Sequence, residues 1–340
     1  MKFKARLVNP ILLKQICDSM SKVDKNFYMS IKPKELHFYQ KSDITDGLQL
    51  SGKVSTHSIF NEVVLNSKSN NEIILNVSIQ ALSKIIQKEY SGSEYLINVR
   101  LKNKVIVPPA TTATGSSQAS TTSTVVSAAN GNGNGNGTCS SGIQQPELLF
   151  TICGNSGQFM VIEEELFVEI VQKSLFDEVK SVPNLPDPDA AFFVPTGAGG
   201  GGNRFLGIVE KFQRFTTKSV TLTVFGGCSL SIQVDNSSYS VAATFKEVEL
   251  IALDTGGNDV NDTSSVGGGN SGAGNGGTQQ QQQQQQAVSV RVDVGKLYRV
   301  VSCASKVFRK IVCCIVSGST IVFSGKADDL QITYYVPILC

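Results

Sequence analysis

Hydrophobic and polar residues alternate along much of the chain with a period of two, which is typical of half-buried β-strands. Residues 27–38 alternate in this way around the turn sequence Lys32-Pro33-Lys34 and predict a β-hairpin. Residues 220–234 do the same around Gly226-Gly227 and predict a second hairpin. One predicted hairpin therefore lies in each half of the chain.

Four other segments place hydrophobic residues every three or four positions, as one face of an α-helix does. One such segment precedes each predicted hairpin, and another lies later in the same half. The hydrophobic positions are Leu12, Ile16, Met20 and Val23; Ile79, Leu82, Ile85 and Ile86; Phe205, Ile208, Val209 and Phe212; and Leu297, Val300, Val301 and Ala304. Because short turns favour antiparallel neighbours, the pattern predicts an α+β protein of two similar halves, each with two helices and several antiparallel strands. The proline-rich stretch Pro183–Asp189 predicts their boundary.

Two low-complexity stretches interrupt this pattern. Ala110–Gly142 and Thr255–Gln286 consist mostly of Thr, Ser, Asn, Gly and Gln, which cannot bury a hydrophobic core. We expect them to be disordered insertions in loops, extending over about 108–145 and about 255–287. The rest of the 340 residues is long enough for two ordinary domains.

Composition narrows the class of protein further. No run of residues approaches the ~20 consecutive apolar positions of a membrane helix, and no signal-peptide pattern follows the basic start of the chain. We therefore expect a soluble protein. The eight cysteines contain no CxxC pair, which favours a reduced intracellular compartment over a disulfide framework or a zinc site.

The net charge of +2 hides a strong segregation of charge. The helical segments, taken as 10–25, 77–89, 203–218 and 295–310, contain 14 of the 30 Lys and Arg residues but only 4 of the 28 Asp and Glu residues. At ~100° per residue, the basic residues of the third and fourth segments lie opposite the hydrophobic ones. Such a helix can pack on a sheet and face a polyanion. Solvated surface helices carry the same charges, so both interpretations stay open at this point.

Candidate catalytic groups are sparse. The two histidines, His37 and His57, lie in or near strand segments with no paired nucleophile. The acidic run Glu163–Glu165 would project onto both faces of a strand, and the pair Cys313-Cys314 lacks metal-ligand spacing. We predict no catalytic residue, no metal site and no cofactor.

The run Gly197–Gly202 is the sharpest competing motif, because it fits G-x-G-x-x-G between a predicted strand and a predicted helix. The next strand, Val220–Phe225, lacks the acidic residue that binds ribose in dinucleotide sites. A flexible glycine-rich insertion is therefore favoured over a nucleotide-dependent enzyme, which stays an alternative.

Segments along the whole chain resemble the Hus-type subunit of the nine-one-one DNA-damage checkpoint clamp. The matching segments are Met1–Ala5, Ile31–Phe38, Phe60–Glu62, Asn70–Ile73, Val182–Asp189, Thr244–Lys246 and Gln331–Leu339. None is a sharp motif, but their order and coverage are specific. The resemblance implies the sliding-clamp (DNA clamp) fold, in which each subunit of a three-subunit ring has two similar domains of antiparallel sheet. Two helices of each domain would lie on the inner face of the ring.

The resemblance also implies a layout of the chain. An N-terminal clamp domain would cover 1–164, an interdomain connector 165–187, and a C-terminal clamp domain 188–340. The strand at about 158–164 would pair with a neighbour's edge strand, at about 238–246 in this numbering. The residues expected at these subunit interfaces are Phe159, Val161, Val241, Ala243 and Phe245. The stretch Leu166–Leu175 is predicted to be helical, which differs from many clamps.

A protein of this family would be a non-enzymatic subunit of a heterotrimeric ring in the nucleus, which encircles double-stranded DNA without reading its sequence and recruits checkpoint signalling and repair proteins. Its partners would be two other clamp subunits and the checkpoint clamp loader, with no membrane partner. A homotrimeric replication processivity clamp is the alternative within the same fold. The residues expected to face DNA are Lys14, Lys22, Lys25, Lys84, Lys88, Arg204, Lys211, Arg214, Lys218, Lys296, Arg299, Lys306 and Lys310.

Overall fold

The computed structural model describes residues 1–40, 47–87, 95–106, 143–154, 161–195, 204–215, 218–226, 228–252 and 287–339. Both low-complexity tracts, the glycine run Gly197–Gly202 and the predicted site residues Lys88 and Phe159 lie outside these ranges. The disorder expected of the two insertions therefore stays a prediction.

Strands and helices follow a similar order in both halves, except that one short helix and one strand of the N-terminal half have no counterpart among the described elements of the C-terminal half. The N-terminal half contains β1 (Lys2–Leu7), α1 (Pro10–Met20), β2 (Asn26–Ile31), β3 (Glu35–Gln40), β4 (Gln49–Ser55), α2 (Thr56–Ile59), β5 (Phe60–Asn66), β6 (Ile73–Ser78), α3 (Ile79–Gln87), β7 (Tyr95–Ile106), β8 (Ile143–Gly154) and β9 (Val161–Ile170). A 3-10 turn (Lys173–Leu175) and α4 (Phe176–Lys180) follow. The C-terminal half contains β10 (Ala190–Phe193), α5 (Arg204–Gln213), β11 (Ser219–Phe225), β12 (Ser229–Asn236), β13 (Tyr239–Phe245), β14 (Val288–Asp293), α6 (Val294–Val307), β15 (Ile311–Val316), β16 (Thr320–Ala327) and β17 (Leu330–Pro337).

The four predicted helices are confirmed as α1, α3, α5 and α6, and the two predicted hairpins as β2–β3 and β11–β12. Local sequence explains where two of the helices begin. Pro10 starts α1, where a missing backbone N–H costs nothing, and the Asn9 side chain accepts a hydrogen bond from the Leu12 N–H at 2.9 Å. Asp293 caps α6 in the same way, with its carboxylate 2.8 Å from the backbone nitrogen of Lys296.

The strands form two antiparallel sheets. The larger has 13 strands in the order β10-β15-β16-β17-β4-β3-β2-β6-β9-β8-β7-β1-β5, and the smaller has four in the order β13-β12-β11-β14. The larger sheet runs from one half into the other because β17 pairs with β4, with Thr333 opposite Ser51. Helix α1 contacts α3 and α6, and α6 contacts α5, so these four helices form one continuous row. Most of the buried hydrophobic residues of both halves form one continuous core.

Two predicted element boundaries differ from the structure. The stretch Leu166–Leu175 is not one helix, because β9 continues to Ile170 with side chains that alternate between buried and exposed. Helical structure starts only with the turn Lys173–Leu175 and α4, inside the range 165–187 predicted for the connector. Strand β8 begins at Ile143, inside the range predicted for the first insertion.

The connector is packed onto the N-terminal half by a small hydrophobic cluster of its own. Phe176 and Val179 of α4 are buried there together with Tyr39 of β3 and Ile74 of β6. Burial raises the pKa of the Tyr39 hydroxyl to about 12. The cluster fixes the position of α4 on the sheet.

An ion pair adds to this anchoring. Lys180 of α4 donates a hydrogen bond of 2.7 Å to the Glu72 carboxylate, and the Ser30 hydroxyl donates one of 2.5 Å. Burial raises the pKa of Glu72, but the hydrogen bonds from Lys180 and Ser30 and the charge of Lys180 outweigh it, so the pKa lies below its usual value. The connector is therefore held at both an apolar and a charged contact.

Candidate nucleic-acid interface and open strand edges

Two of the basic residues predicted to face DNA come together where α1 and α6 meet. Lys22 donates a hydrogen bond of 2.8 Å to the Ser302 hydroxyl on α6. Desolvation, and then the nearby charge of Lys306, lower the pKa of Lys22. Lys22 therefore joins the two halves as well as adding positive charge to the helix row.

The other predicted basic residues on or near α1 and α3 differ in how far they are neutralised. Lys14 forms an ion pair with Asp18 at 3.2 Å, and Asp18 also accepts a hydrogen bond of 3.2 Å from Ser83 on α3. Lys25 and Lys84 are exposed. These two lysines are the better placed to contact an external anion.

The basic residues near α5 extend past the end of the helix. Lys211 is exposed on α5 itself. The helix ends at Gln213, so Arg214 and Lys218 lie beyond it, and Arg214 pairs with Glu210 at 3.1 Å. Of the basic residues predicted for one face of this helix, only the first ones therefore lie on the helix itself.

Lys296 and Arg299 line a cavity between the two halves, at the start of α6. The cavity has a volume of about 230 Å³ and is also lined by Gln40 and Asp293. Gln40 is only 4% exposed, and its side-chain amide has no hydrogen-bond partner in the part of the chain that the structure describes. Two cations thus lie beside a buried polar group.

One cavity gathers basic residues from three places in the C-terminal half. Its volume is about 530 Å³. Its charged lining residues are Arg204, Lys246, Glu247, Glu249, Arg309 and Lys310. The Lys310 ammonium group lies 5.2 Å from the centre of the Phe193 ring, which is a cation–π contact. The structure therefore brings the predicted residues Arg204 and Lys310 together.

Lys246 and Arg309 are basic residues of this cavity that the helical pattern did not reveal. Lys246 directly follows β13, and Arg309 lies in the turn after α6, where no helical period applies. Neither residue lies on a predicted helix face. Arg309 directly precedes the predicted residue Lys310 in the sequence. The predicted basic residues thus form separate groups along the helix row rather than one stripe.

Strands β9 and β13 each present an edge that no strand of the described ranges covers. β9 pairs with β8 over Val161–Phe167 on one side, and with β6 only over Val168–Ile170 on the other. β13 pairs with β12 alone. Val161 is 59% exposed and Val241 36% exposed.

The remaining predicted interface residues also lie on β13. Ala243 and Phe245 are half-buried, and the Phe245 ring lies 6.0 Å from the ring of Phe205 on α5. The structure therefore places the described interface residues on two separate open edges. Such edges are templates for pairing with another chain.

The candidate catalytic groups lie in different surroundings. The His37 ring is hydrogen-bonded to Glu35 at 2.9 Å and to the Tyr39 hydroxyl at 3.2 Å, and this contact with His37 lowers the pKa of Glu35. His57 is exposed on α2. Burial raises the pKa of the Cys313 and Cys314 thiols and so makes them poor nucleophiles.

The described residues hold neither a metal-binding cluster nor a membrane-spanning helix. No three His, Cys, Asp or Glu side chains among them are grouped as a metal ion would require. None of the helices in those ranges combines the length and the hydropathy needed to cross a bilayer.

Comparisons with known proteins give a family and a fold for this chain. A family model described as "Hus1-like protein" matches residues 1–339. The "Checkpoint protein hus1 homolog" of Dictyostelium discoideum is 28% identical over 92 residues, which are 27% of this chain and 34% of that protein. The human "Checkpoint protein HUS1" is 19% identical over 345 residues, covering 100% of both chains. The crystal structure of Proliferating Cellular Nuclear Antigen from Entamoeba histolytica matches with a TM-score of 0.61 and 10% identity over 99% of each chain, which is a likeness of fold.

Proposed function

Because the chain belongs to the Hus1-like protein family and has the sliding-clamp fold, we propose that it is a non-enzymatic subunit of a heterotrimeric DNA-damage checkpoint clamp that encircles DNA. The two relatives described above are named as checkpoint proteins. The observation that carries the proposal is the strand pairing between the two halves of the chain.

One strand pairing that joins two clamp-like repeats is complete within the chain; we call such a pairing a joint. Two further joints would each need one strand from this chain and one from a neighbouring chain. β17 pairs with β4 from Gln331 opposite Lys53 to Tyr335 opposite Gln49. By the order of elements, β9 takes the place of β17 in the N-terminal half, and β13 takes the place of β4 in the C-terminal half. Three such chains joined head to tail would close a ring in which the same pairing recurs at every joint.

The helix row supports a role for this ring in holding DNA. Lys25, Lys84, Lys211, Lys296 and Arg299 add positive charge along it. Basic side chains on the inner surface of such a ring would attract the phosphates of any duplex and would make no contacts that distinguish base edges. The ring would therefore bind DNA by encirclement and by sequence-independent phosphate attraction.

Family membership supports the rest of the proposal. The partners would be two other clamp subunits and a dedicated checkpoint clamp loader, and the place of action would be the nucleus. Loaded at damage sites, the ring would recruit signalling and repair proteins. A homotrimeric replication clamp and a nucleotide-dependent enzyme that uses Gly197–Gly202 are the competing outcomes of the test.

Purification of the protein from its native cells, followed by identification of stoichiometric partners, tests the proposal. Two distinct clamp-like chains in equal amounts are expected. A ring made only of this chain would favour the replication clamp, and the absence of any clamp-like partner would overturn the ring. Calorimetric titration with nucleotides tests the enzyme alternative directly, and no binding heat is expected.

A further inference from the structure

The joint inside the chain extends beyond its paired strands into a polar contact. The pairing of β17 with β4 places Gln331 opposite Lys53, and the same register, continued by two residues, leads to Asp329 and Ser55. Asp329 is exposed in the turn between β16 and β17, and its carboxylate accepts a hydrogen bond of 2.7 Å from the Ser58 hydroxyl on α2. The turn that leads into β17 is therefore attached to the residues that follow β4.

Lys246 occupies the position of Ser55 on the open edge of β13. The comparison starts from β6 and β14, because each of these strands ends directly before the second helix of its half. The equivalent rows of paired residues are Leu75, Met29, Phe38 and Gly52, and Val290, Leu222, Ile232 and Ala243. Ser55 follows Gly52 by three residues, as Lys246 follows Ala243. In the ring, Lys246 would therefore face the neighbour's residue that corresponds to Asp329.

The surroundings beyond the two strands differ. Beyond β4, the short helix α2 contacts α1, and its residue Ile59 is fully buried. Beyond β13 lies the cavity of about 530 Å³ described above, and Arg309 and Lys310 line it together with Lys246. The open edge of β13 thus ends in a basic cavity, at the place where the internal joint has a hydroxyl group.

The cavity carries an excess of positive charge. Four cations line it, against the two carboxylates of Glu247 and Glu249. None of the four cations forms an ion pair with another residue of the described ranges. Lys246, Arg309 and Lys310 are exposed. A carboxylate that entered the cavity would therefore gain charge-assisted hydrogen bonds without breaking an ion pair of this chain.

The sequence of this chain offers no such carboxylate. Since β9 takes the place of β17, the residues that lead into β9 would face Lys246 in a ring of identical chains. These residues, 155–160, have the sequence Asn-Ser-Gly-Gln-Phe-Met and lie outside the described ranges. They contain neither Asp nor Glu, so a second copy of the chain would bring no counter-charge to the cavity.

We propose that Lys246, with Arg309 and Lys310 beside it, binds an Asp or Glu in a hairpin turn of the neighbouring subunit and so selects that neighbour for the β13 edge. This inference rests on the proposed ring function. The neighbour's acidic turn takes the place that the Asp328-Asp329 turn has in the internal joint. Complementary charges at such a contact favour the matching subunit, and the missing charge disfavours a second copy of this chain.

Charge reversal in the reconstituted ring tests the proposal. Lys246→Glu places a carboxylate against the neighbour's carboxylate, and Lys246→Ala only removes the cation. Lys68→Glu is the matched control, because Lys68 is exposed in the turn between β5 and β6 and forms no ion pair with a described residue. The affinity of each native partner for each variant is measured by calorimetric titration. Lys246→Glu is expected to weaken the binding of one partner by about tenfold or more and to leave the other partner unaffected, since like charges repel at only one joint. Lys246→Ala should have a smaller effect on the same partner, and Lys68→Glu none.

An exchange of charges identifies the contact. Replacing the acidic residue in the affected partner's hairpin turn by Lys should restore its binding to Lys246→Glu, and failure of every such exchange would overturn the acidic turn as the occupant. If the wild-type ring forms and Lys246→Glu binds both partners with unchanged affinity, the role of Lys246 is overturned and the ring function stands. Normal assembly with weaker retention of duplex DNA would assign the cavity to DNA phosphates and likewise overturn the proposal. If the wild type forms no ring with other clamp-like chains, the proposed function itself is overturned.

Discussion

The Lys22 ammonium group donates a hydrogen bond of 2.8 Å to the Ser302 hydroxyl and so ties α1 of the N-terminal half to α6 of the C-terminal half. Replacing Lys22 by alanine should lower the free energy of unfolding by about 1 kcal/mol, since this removes one hydrogen bond from a charged group. Urea denaturation measures the change. Lys25→Ala removes an exposed lysine nearby and should leave the stability unchanged. Equal effects of the two substitutions would show that the contact between the helices contributes nothing.

The basic residues of the helix row should control how the assembled clamp holds DNA. The two test sets are Arg204, Lys211 and Arg214, and Lys296, Arg299 and Lys306. Replacing either set by alanine should leave ring assembly intact and weaken DNA retention without regard to sequence. The slope of log affinity against log salt should flatten by up to about 0.9 for each duplex phosphate that the variant no longer neutralises.

The sheet surface away from the helices offers a control of the same net charge. Lys2 and Lys4 alternate with buried Phe3 and Ala5, and Lys4 lies opposite Arg100 on β7, next but one to Lys102. Replacing Lys2, Lys4 and Lys102 by alanine should leave the salt slope at its wild-type value. If the helix-row sets and this control change the slope equally, the helices do not face the duplex.

The isolated chain should bind duplex DNA at least about tenfold more weakly than the assembled ring, since encirclement and the cations of the other subunits are absent. Fluorescence anisotropy of a labelled duplex, recorded at two salt concentrations, compares the two states. A monomeric chain that binds as tightly as the ring would contradict the topological mechanism.

Removing both low-complexity tracts, 110–142 and 255–286, should leave a cooperatively folding protein. The first tract lies between β7 and β8, which pair with each other along their whole length, and the second lies between β13 and β14. Loops of this kind add little to stability, because the entropy of closure changes slowly with length. Calorimetry of the shortened and full chains should give similar transition midpoints, and loss of a cooperative transition would assign the tracts a structural role.

Acid should loosen the connector through Glu72. The folded protein holds the pKa of Glu72 below its usual value of 4.5, so its contribution to stability is complete above that value and is lost as the pH falls through the lower, folded-state pKa. Glu72→Gln should remove this part of the pH dependence, and exposed Asp187→Asn should not. Denaturation midpoints measured from about pH 6 to about pH 3 compare the three proteins. Parallel curves for wild type and Glu72→Gln would show that the ion pair with Lys180 does not stabilise the fold.

Local sequence patterns were sufficient to predict most helices and strands. They failed where the hydrophobic residues fit both the helical period and the strand period. The hairpins β2–β3 and β11–β12 follow from strict alternation, and α1 and α6 from helical spacing with a capping residue. The segment 166–175 contains hydrophobic residues that suit both periods, and only the pairing of residues 166–170 with β8 and β6 makes that part a strand.

The candidate site was less accessible to sequence reasoning, because its contacts join distant residues. The hydrogen bond between Ser19 and Tyr334 spans 315 positions, and no local pattern predicts it. The pairing of β17 with β4 is equally remote, and no local pattern predicts it either. The basic helix faces could be predicted from helical spacing. Lys246 could not, because it lines the cavity of about 530 Å³ only by lying at the end of a strand.

The pairing of β17 with β4 makes one joint of the proposed ring different in kind from the others. Its two strands belong to one covalent chain, so they meet at a high effective concentration and re-form at once after any local separation. In that ring the edges of β9 and β13 would instead have to bind partner strands from other chains. A loader that admits DNA through the proposed ring would therefore open it at a boundary between subunits, and the joint in the middle of this subunit would stay closed.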